Sequence, residues 1–217
     1  EIWMGILASY QLQESRREEQ VRLNRWAEWA NQFPLTDLRR LGILGRKDKQ
    51  GRWVKHLLEF FGVSSPDSWE TVYGEPAAAY RKSKTLAASK HALATWLRLA
   101  ETEAEGIETK PFDETGLREA VDVIRSLTLE PPELFEPEIK RLCSASGVAV
   151  VFVPEVKGAR VSGATKWLTP TKAMVAASLR HKSDDHLWFT LFHELGHVLL
   201  HGKKRVFVDD EVEGESE

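Results

Sequence analysis

The sequence predicts an α+β fold in which helices come first, followed by a small sheet and one strong helix. Three observations predict it. Residues 1–146 carry apolar side chains at three- and four-residue spacing. Residues 147–179 switch to short runs of β-branched and small residues. Residues 184–201 return to helical spacing, with a glycine directly after them.

Each element follows from local chemistry. Residues 2–32 place Ile2, Trp3, Ile6, Leu7, Tyr10 and Leu12, then Val21, Leu23, Trp26, Trp29 and Ala30, among charges, and Pro34 ends that helix. A short helix is expected near 36–42, closed by Gly42 and Gly45. Residues 52–62 read as another, with Gly62 at its end. Ser65-Pro66-Asp67 opens the next. Residues 85–105 form a long amphipathic helix through Leu86, Leu93, Trp96, Leu97 and Ala100, and 113–129 and 133–146 give two more. After Gly147, residues 148–153 (VAVVFV) suit a buried strand, and 159–166 and 172–179 suit a second and a third. Ser183, Asp184 and Asp185 supply a cap and acids for the last helix. Gly202 stops it, and Lys203, Lys204 and Arg205 complement its negative end. A domain boundary is expected near 107–112, where Gly106 and Pro111 break the long helix, giving a helical region over 1–110 and a second domain over 111–217.

The 217 residues are 42% hydrophobic and 29% charged, an ordinary globular composition. A net charge of −3 excludes a chain that binds nucleic acid by bulk charge. The basic stretch 39–55 reads as a solvated face. One cysteine, Cys143, cannot form an internal disulfide, which fits a reducing cytoplasm. The first residues do not read as a signal-peptide pattern, and no apolar run reaches membrane-spanning length. Eight tryptophans point to core packing. Glu1 in place of Met, and six acids within residues 209–217, lead us to expect a piece of a longer protein.

The chemistry concentrates in His193-Glu194-Leu195-Gly196-His197. On a helix, residues four apart share a face one turn apart, so His193 and His197 can aim two imidazole nitrogens at one point. Zn²⁺ takes such nitrogens at about 2.0–2.1 Å. Glu194 is placed to take a proton from water activated by the ion, which is the reasoning behind the HExxH pattern of metallopeptidases. The alternative is two helix histidines satisfied by hydrogen bonds. His201 follows His197 by four, but on a continuous helix it lies about 12 Å along the axis from His193, so one tetrahedral ion cannot take both. His201 is therefore read as an outer partner or a structural residue. The third ligand must come from elsewhere. Asp209, Asp210, Glu211, Glu213, Glu215 and Glu217 are candidates, but the tail reads as a solvated acidic segment, and a ligand beyond Glu217 is expected instead. With two histidines alone the fragment would hold zinc weakly and be inactive.

Residues 193–201 (HELGHVLLH), with 184–192 before them, 147–154 (GVAVVFVP), 160–167 (RVSGATKW) and Leu168-Thr169-Pro170, resemble the ImmA/IrrE family of bacterial and phage metallopeptidases. The resemblance covers roughly residues 132–208 and is specific. It implies a compact zincin-like domain in which His193 and His197 bind zinc and Glu194 is the base. In that family a glutamate on a later helix, near an Ala-Asn-x-Phe-Ala segment, completes the site, and no such segment stands before Glu217. Glu1-Ile2-Trp3 with Tyr10-Gln11-Leu12 is similar to the last helix of a HigA-type, Xre-like helix-turn-helix antitoxin. The segment 57–63 (LLEFFGV) is similar to fusions of that domain with the peptidase. Residues 1–20 then read as the tail of a lost helix-turn-helix domain.

The resemblance implies a zinc-dependent endopeptidase domain of a transcriptional regulator or toxin–antitoxin protein, cleaving a regulatory protein or itself. The alternative is a non-catalytic antitoxin or sensor module that binds a toxin through the same scaffold. Expected partners are a protein substrate or toxin and, through the absent domain, DNA. No membrane contact is expected, and a homodimer is left open. Substrate is expected to add as a strand beside a sheet edge along residues 172–179.

Overall fold

A computed structural model of the chain describes residues 2–45, 48, 50–80, 89–179, 184–201 and 207–210. The architecture is α+β, as expected, with a mixed four-stranded sheet following a run of helices. The chain divides into two compact units, residues 1–79 and 80–217.

The first unit is helical. Helices α1 (Ile2–Arg25), α2 (Ala27–Ala30), α3 (Leu35–Arg40), α4 (Gln50–Phe61), α5 (Pro66–Trp69) and α6 (Glu75–Tyr80) follow in order, with a π-helical turn over Glu70–Gly74. The expected continuous helix over 2–32 is interrupted at Trp26, whose φ of −94° and ψ of 9° leave the helical region. Phe33, Phe61 and Trp69 interlock edge to face or tilted at 5.1–5.8 Å between ring centres and form the core of this unit. The tryptophans divide: Trp69, Trp96 and Trp188 are buried, whereas Trp3 is 82% exposed. The apolar residues at the start of α1 therefore do not all serve the core.

The second unit holds α7 (Lys90–Glu105), α8 (Glu114–Ser126), a 3-10 turn over Leu127–Leu129, α9 (Pro132–Ala145), β1 (Val148–Val153), β2 (Val161–Thr169), β3 (Lys172–Ser178), α10 (Asp184–Leu200) and β4 (Phe207–Asp210). The strand order is β1-β3-β2-β4. β1 runs parallel to β3, while β2 is antiparallel to both β3 and β4. Alternation along the strands sorts the faces. Val148, Val150, Phe152, Ala173, Val175 and Ala177 pack with Leu117, Ile124, Phe135, Ile139, Trp188, Leu191 and Leu195 from α8, α9 and α10. The intervening residues Ala149, Val151, Met174 and Ala176 are also buried, and α7 packs on this opposite face with Leu93, Trp96 and Ala100. The unit is thus helix, sheet, helix in three layers.

The compact units part at residues 79 and 80, and α7, which the boundary expected near 107–112 grouped with the helical region, is one of the layers that cover the sheet. Two expectations about the sheet change. The strand over 172–178 is no sheet edge, since β3 is paired on both sides. The start of the acidic tail also joins the sheet. Phe207–Asp210 form β4, which pairs through its main chain with β2, and such pairing makes little demand on side-chain type. Gly202, Lys203, Lys204, Arg205, the Ser183 cap and the acids Glu211, Glu213, Glu215 and Glu217 lie outside the described residues. No described helix is long and apolar enough to cross a membrane.

Candidate functional site

Helix α10 exists because one stripe of it is apolar. Trp188, Leu191, Leu195 and Val198 fall at spacings of three and four and enter the core together. Burying such side chains contributes about 1.5–3 kcal/mol each. That stripe fixes the rotation of the helix, and the rotation fixes where the remaining residues point. His193 is exposed and His197 half-buried, on the flank away from the stripe. Glu194 sits about 100° around the helix from His193, at the border of the stripe, and is completely buried.

The two imidazoles meet. Nε2 of His193 and Nε2 of His197 stand 3.1 Å apart, with their rings nearly perpendicular at 4.6 Å between centres. Two nitrogens at 2.0–2.1 Å from one tetrahedral ion are about 3.3 Å apart, so the pair fits a zinc ion to within a few tenths of an ångström. The same spacing suits a hydrogen bond in which one ring donates to the other. No third His, Cys, Asp or Glu joins them in a metal-binding group among the described residues.

Aromatic rings flank both histidines. Phe189, one turn earlier, lies nearly parallel to His193 at 5.9 Å. Phe207 of β4 stacks on His197 at 4.1 Å with only 7° between the planes. His201 lies beside His197 at 5.2 Å and beside Phe207 at 4.8 Å, so it packs into this stack. The pairing of Phe207 with Thr165 across β4 and β2 puts the ring there.

Glu194 turns toward the sheet. Its Oε2 accepts a hydrogen bond from Thr165 Oγ1 at 2.6 Å, and its backbone carbonyl lies 3.0 Å from the same hydroxyl. Thr165 is itself buried. Gly163, two residues earlier on the same face of β2, leaves the room the carboxylate fills. The next residue, Lys166, points to the opposite face and reaches Glu101 of α7 at 2.6 Å.

The site therefore brings together His193 and His197 as the spacing implied, and sends Glu194 to the strand. Sequence reasoning had no signal for Thr165, Gly163 or Phe207 as neighbours of the motif. Their link to α10 depends on strand register across 29 residues or on a tail strand with no periodicity. Comparison with family models, with curated proteins and with solved structures finds no match for this chain.

Proposed function

We propose that residues 80–217 carry the two-histidine part of a zinc-dependent peptidase site on a zincin-like domain, within a bacterial or phage regulator of the ImmA/IrrE type. The observation that carries this reading is the convergence of the two Nε2 atoms, 3.1 Å apart, on one flank of α10. Zinc held there would supply the Lewis acidity that polarises a peptide carbonyl and lowers the pKa of water. His193 and His197 would hold the ion through their Nε2 atoms. The stack of Phe207 and His201 on His197 restrains that ring's orientation. Glu194 is the general base. Oε2 accepts a hydrogen bond from Thr165, which holds the carboxylate beside β2. A third protein ligand is needed to complete the site, and the described residues do not supply it.

The complete burial of Glu194 favours a second reading, a scaffold that binds a toxin or regulator without turnover. The two part company on one comparison. The full-length protein, loaded with zinc, is expected to cleave its target regulator in cells, and Glu194→Gln is expected to abolish cleavage while leaving zinc content unchanged. Equal cleavage, or equal absence of cleavage, by both proteins would sink the peptidase reading.

A further inference from the structure

Strand β2 contributes two residues to the surroundings of Glu194. Thr165 and Gly163 are two apart and therefore share a face of the strand. The Thr165 hydroxyl has one proton and two acceptors on the same residue of α10. The carboxylate oxygen is 2.6 Å away and the main-chain carbonyl 3.0 Å, so the shorter contact with the carboxylate is the stronger. Both side chains are buried, at 1% for Thr165 and 0% for Glu194, which leaves that bond unscreened by water. Gly163 acts by what it lacks. A Cβ there would stand 2.6 Å from Oε1 and 2.8 Å from Cγ of Glu194, and 2.7 Å from Cγ2 of Thr190. No side chain larger than hydrogen fits unless the Glu194 and Thr190 side chains both move. One residue of β2 thus pins one oxygen, and another keeps space for the other.

We propose that Thr165 is the positioning residue for Glu194, and that Gly163 provides the clearance that makes this position possible. The inference rests on the peptidase reading for its catalytic meaning, and on the geometry alone for the hydrogen bond. Thr165 touches no reacting atom. It fixes the side-chain rotamer of Glu194 through the hydrogen bond to Oε2. A bond that merely tied α10 to β2 would affect stability. A positioning bond affects turnover at unchanged zinc and substrate binding.

The test uses the full-length protein with zinc. Thr165→Val keeps the shape and deletes the donor, Thr165→Ser keeps the donor, Gly163→Ala closes the clearance, and Glu194→Gln is the reference. Three quantities are read: zinc affinity by competition with a chromophoric chelator, kcat and KM on a mixture of fluorescence-quenched peptides, and the ¹³C resonance of the Glu194 carboxylate. That resonance is assigned by its loss in Glu194→Gln. The expected result is a fall in kcat of about 10–100-fold for Thr165→Val and Gly163→Ala, with KM and zinc affinity within about twofold. Thr165→Ser should return kcat to within about threefold of wild type. The carboxylate resonance should move in Thr165→Val and return in Thr165→Ser. If Thr165→Val does not fold, Gly163→Ala tests the same position with the donor intact. Wild-type kcat in Thr165→Val beside a dead Glu194→Gln overturns the positioning role and leaves the base reading standing. An active Glu194→Gln, or a wild type that cleaves none of the peptides, removes the base reading and the positioning role with it. An unmoved resonance in Thr165→Val removes the hydrogen bond itself.

Discussion

Lys166 Nζ on β2 stands 2.6 Å from Oε1 of Glu101 on α7, across 65 residues of sequence. Arg98 approaches the other carboxylate oxygen at 3.5 Å, and the Glu101 side chain is only 8% exposed. Removing one partner of a fully buried pair costs about 3–5 kcal/mol, because the remaining charge is left stranded. Here Lys166 is one-third exposed and Arg98 remains, so Lys166→Met is expected to cost about 1–3 kcal/mol. Adding Glu101→Leu should recover part of that loss. Urea denaturation of the three proteins checks it, read from the transition of the unit that holds the sheet. A double variant no more stable than the single one contradicts the account.

Gly147 turns the chain from α9 into β1 with φ of +83°. A Cβ there would stand 2.3 Å from Cα and 2.5 Å from N of Phe112, which is main chain and has nowhere to move. Gly147→Ala combines left-handed strain with overpacking and should destabilise by about 2–4 kcal/mol. Gly158 is the control, with φ of +88° and nothing nearer than 3.7 Å. Its alanine variant meets the strain alone, about 1–2 kcal/mol. Thermal unfolding should rank the two variants in that order.

The imidazole pair makes a prediction for zinc alone. The full-length protein is expected to bind one equivalent. His193→Ala and His197→Ala should each weaken binding by more than the 10–100-fold typical of losing an outer partner, whereas His201→Ala should stay within that range. Competition with a chromophoric chelator measures all three. Unchanged affinity in His193→Ala would mean that the two rings only hydrogen-bond to each other.

Cys143 lies inside the core on α9, and burial pushes its thiol up to about 12, from an ordinary 9.0. The folded state therefore keeps a proton that the unfolded chain loses first. The stability this contributes is complete below pH 9 and drains away as pH rises toward 12, at up to about 1.4 kcal/mol per unit. The difference in unfolding free energy between wild type and Cys143→Ala should narrow or reverse across that window. At pH 8 the native thiol should resist iodoacetamide and react once urea unfolds the chain.

What the sequence disclosed was whatever depends on neighbours within a turn or two. The strand over 148–153 and the helix from 184 stand where composition put them, and the two imidazoles face one another as a four-residue step requires. The long helix before Gly106 was equally plain, yet its allegiance was not. Nothing in residues 90–105 says that this apolar stripe lies on a sheet formed some fifty residues later. The partner of Glu194 was hidden for a related reason, because the register of β2 against α10 is settled by packing rather than by either segment alone. The tail strand was missed because main-chain pairing to β2 leaves no periodic trace in four residues.

The strand order also governs how this unit is assembled. β3 lies between β1 and β2, although β1 and β2 both precede it along the chain. The hairpin of β2 and β3 closes over Pro170 and Thr171. Until that hairpin docks, β1 has no strand partner. Its six apolar residues, all buried in the native state, then form a bare hydrogen-bonding ribbon of low charge and high β propensity. The vulnerable moment in the life of this protein is the interval between the synthesis of Val153 and the arrival of Ser178, when another copy of the same ribbon is the nearest substitute for β3.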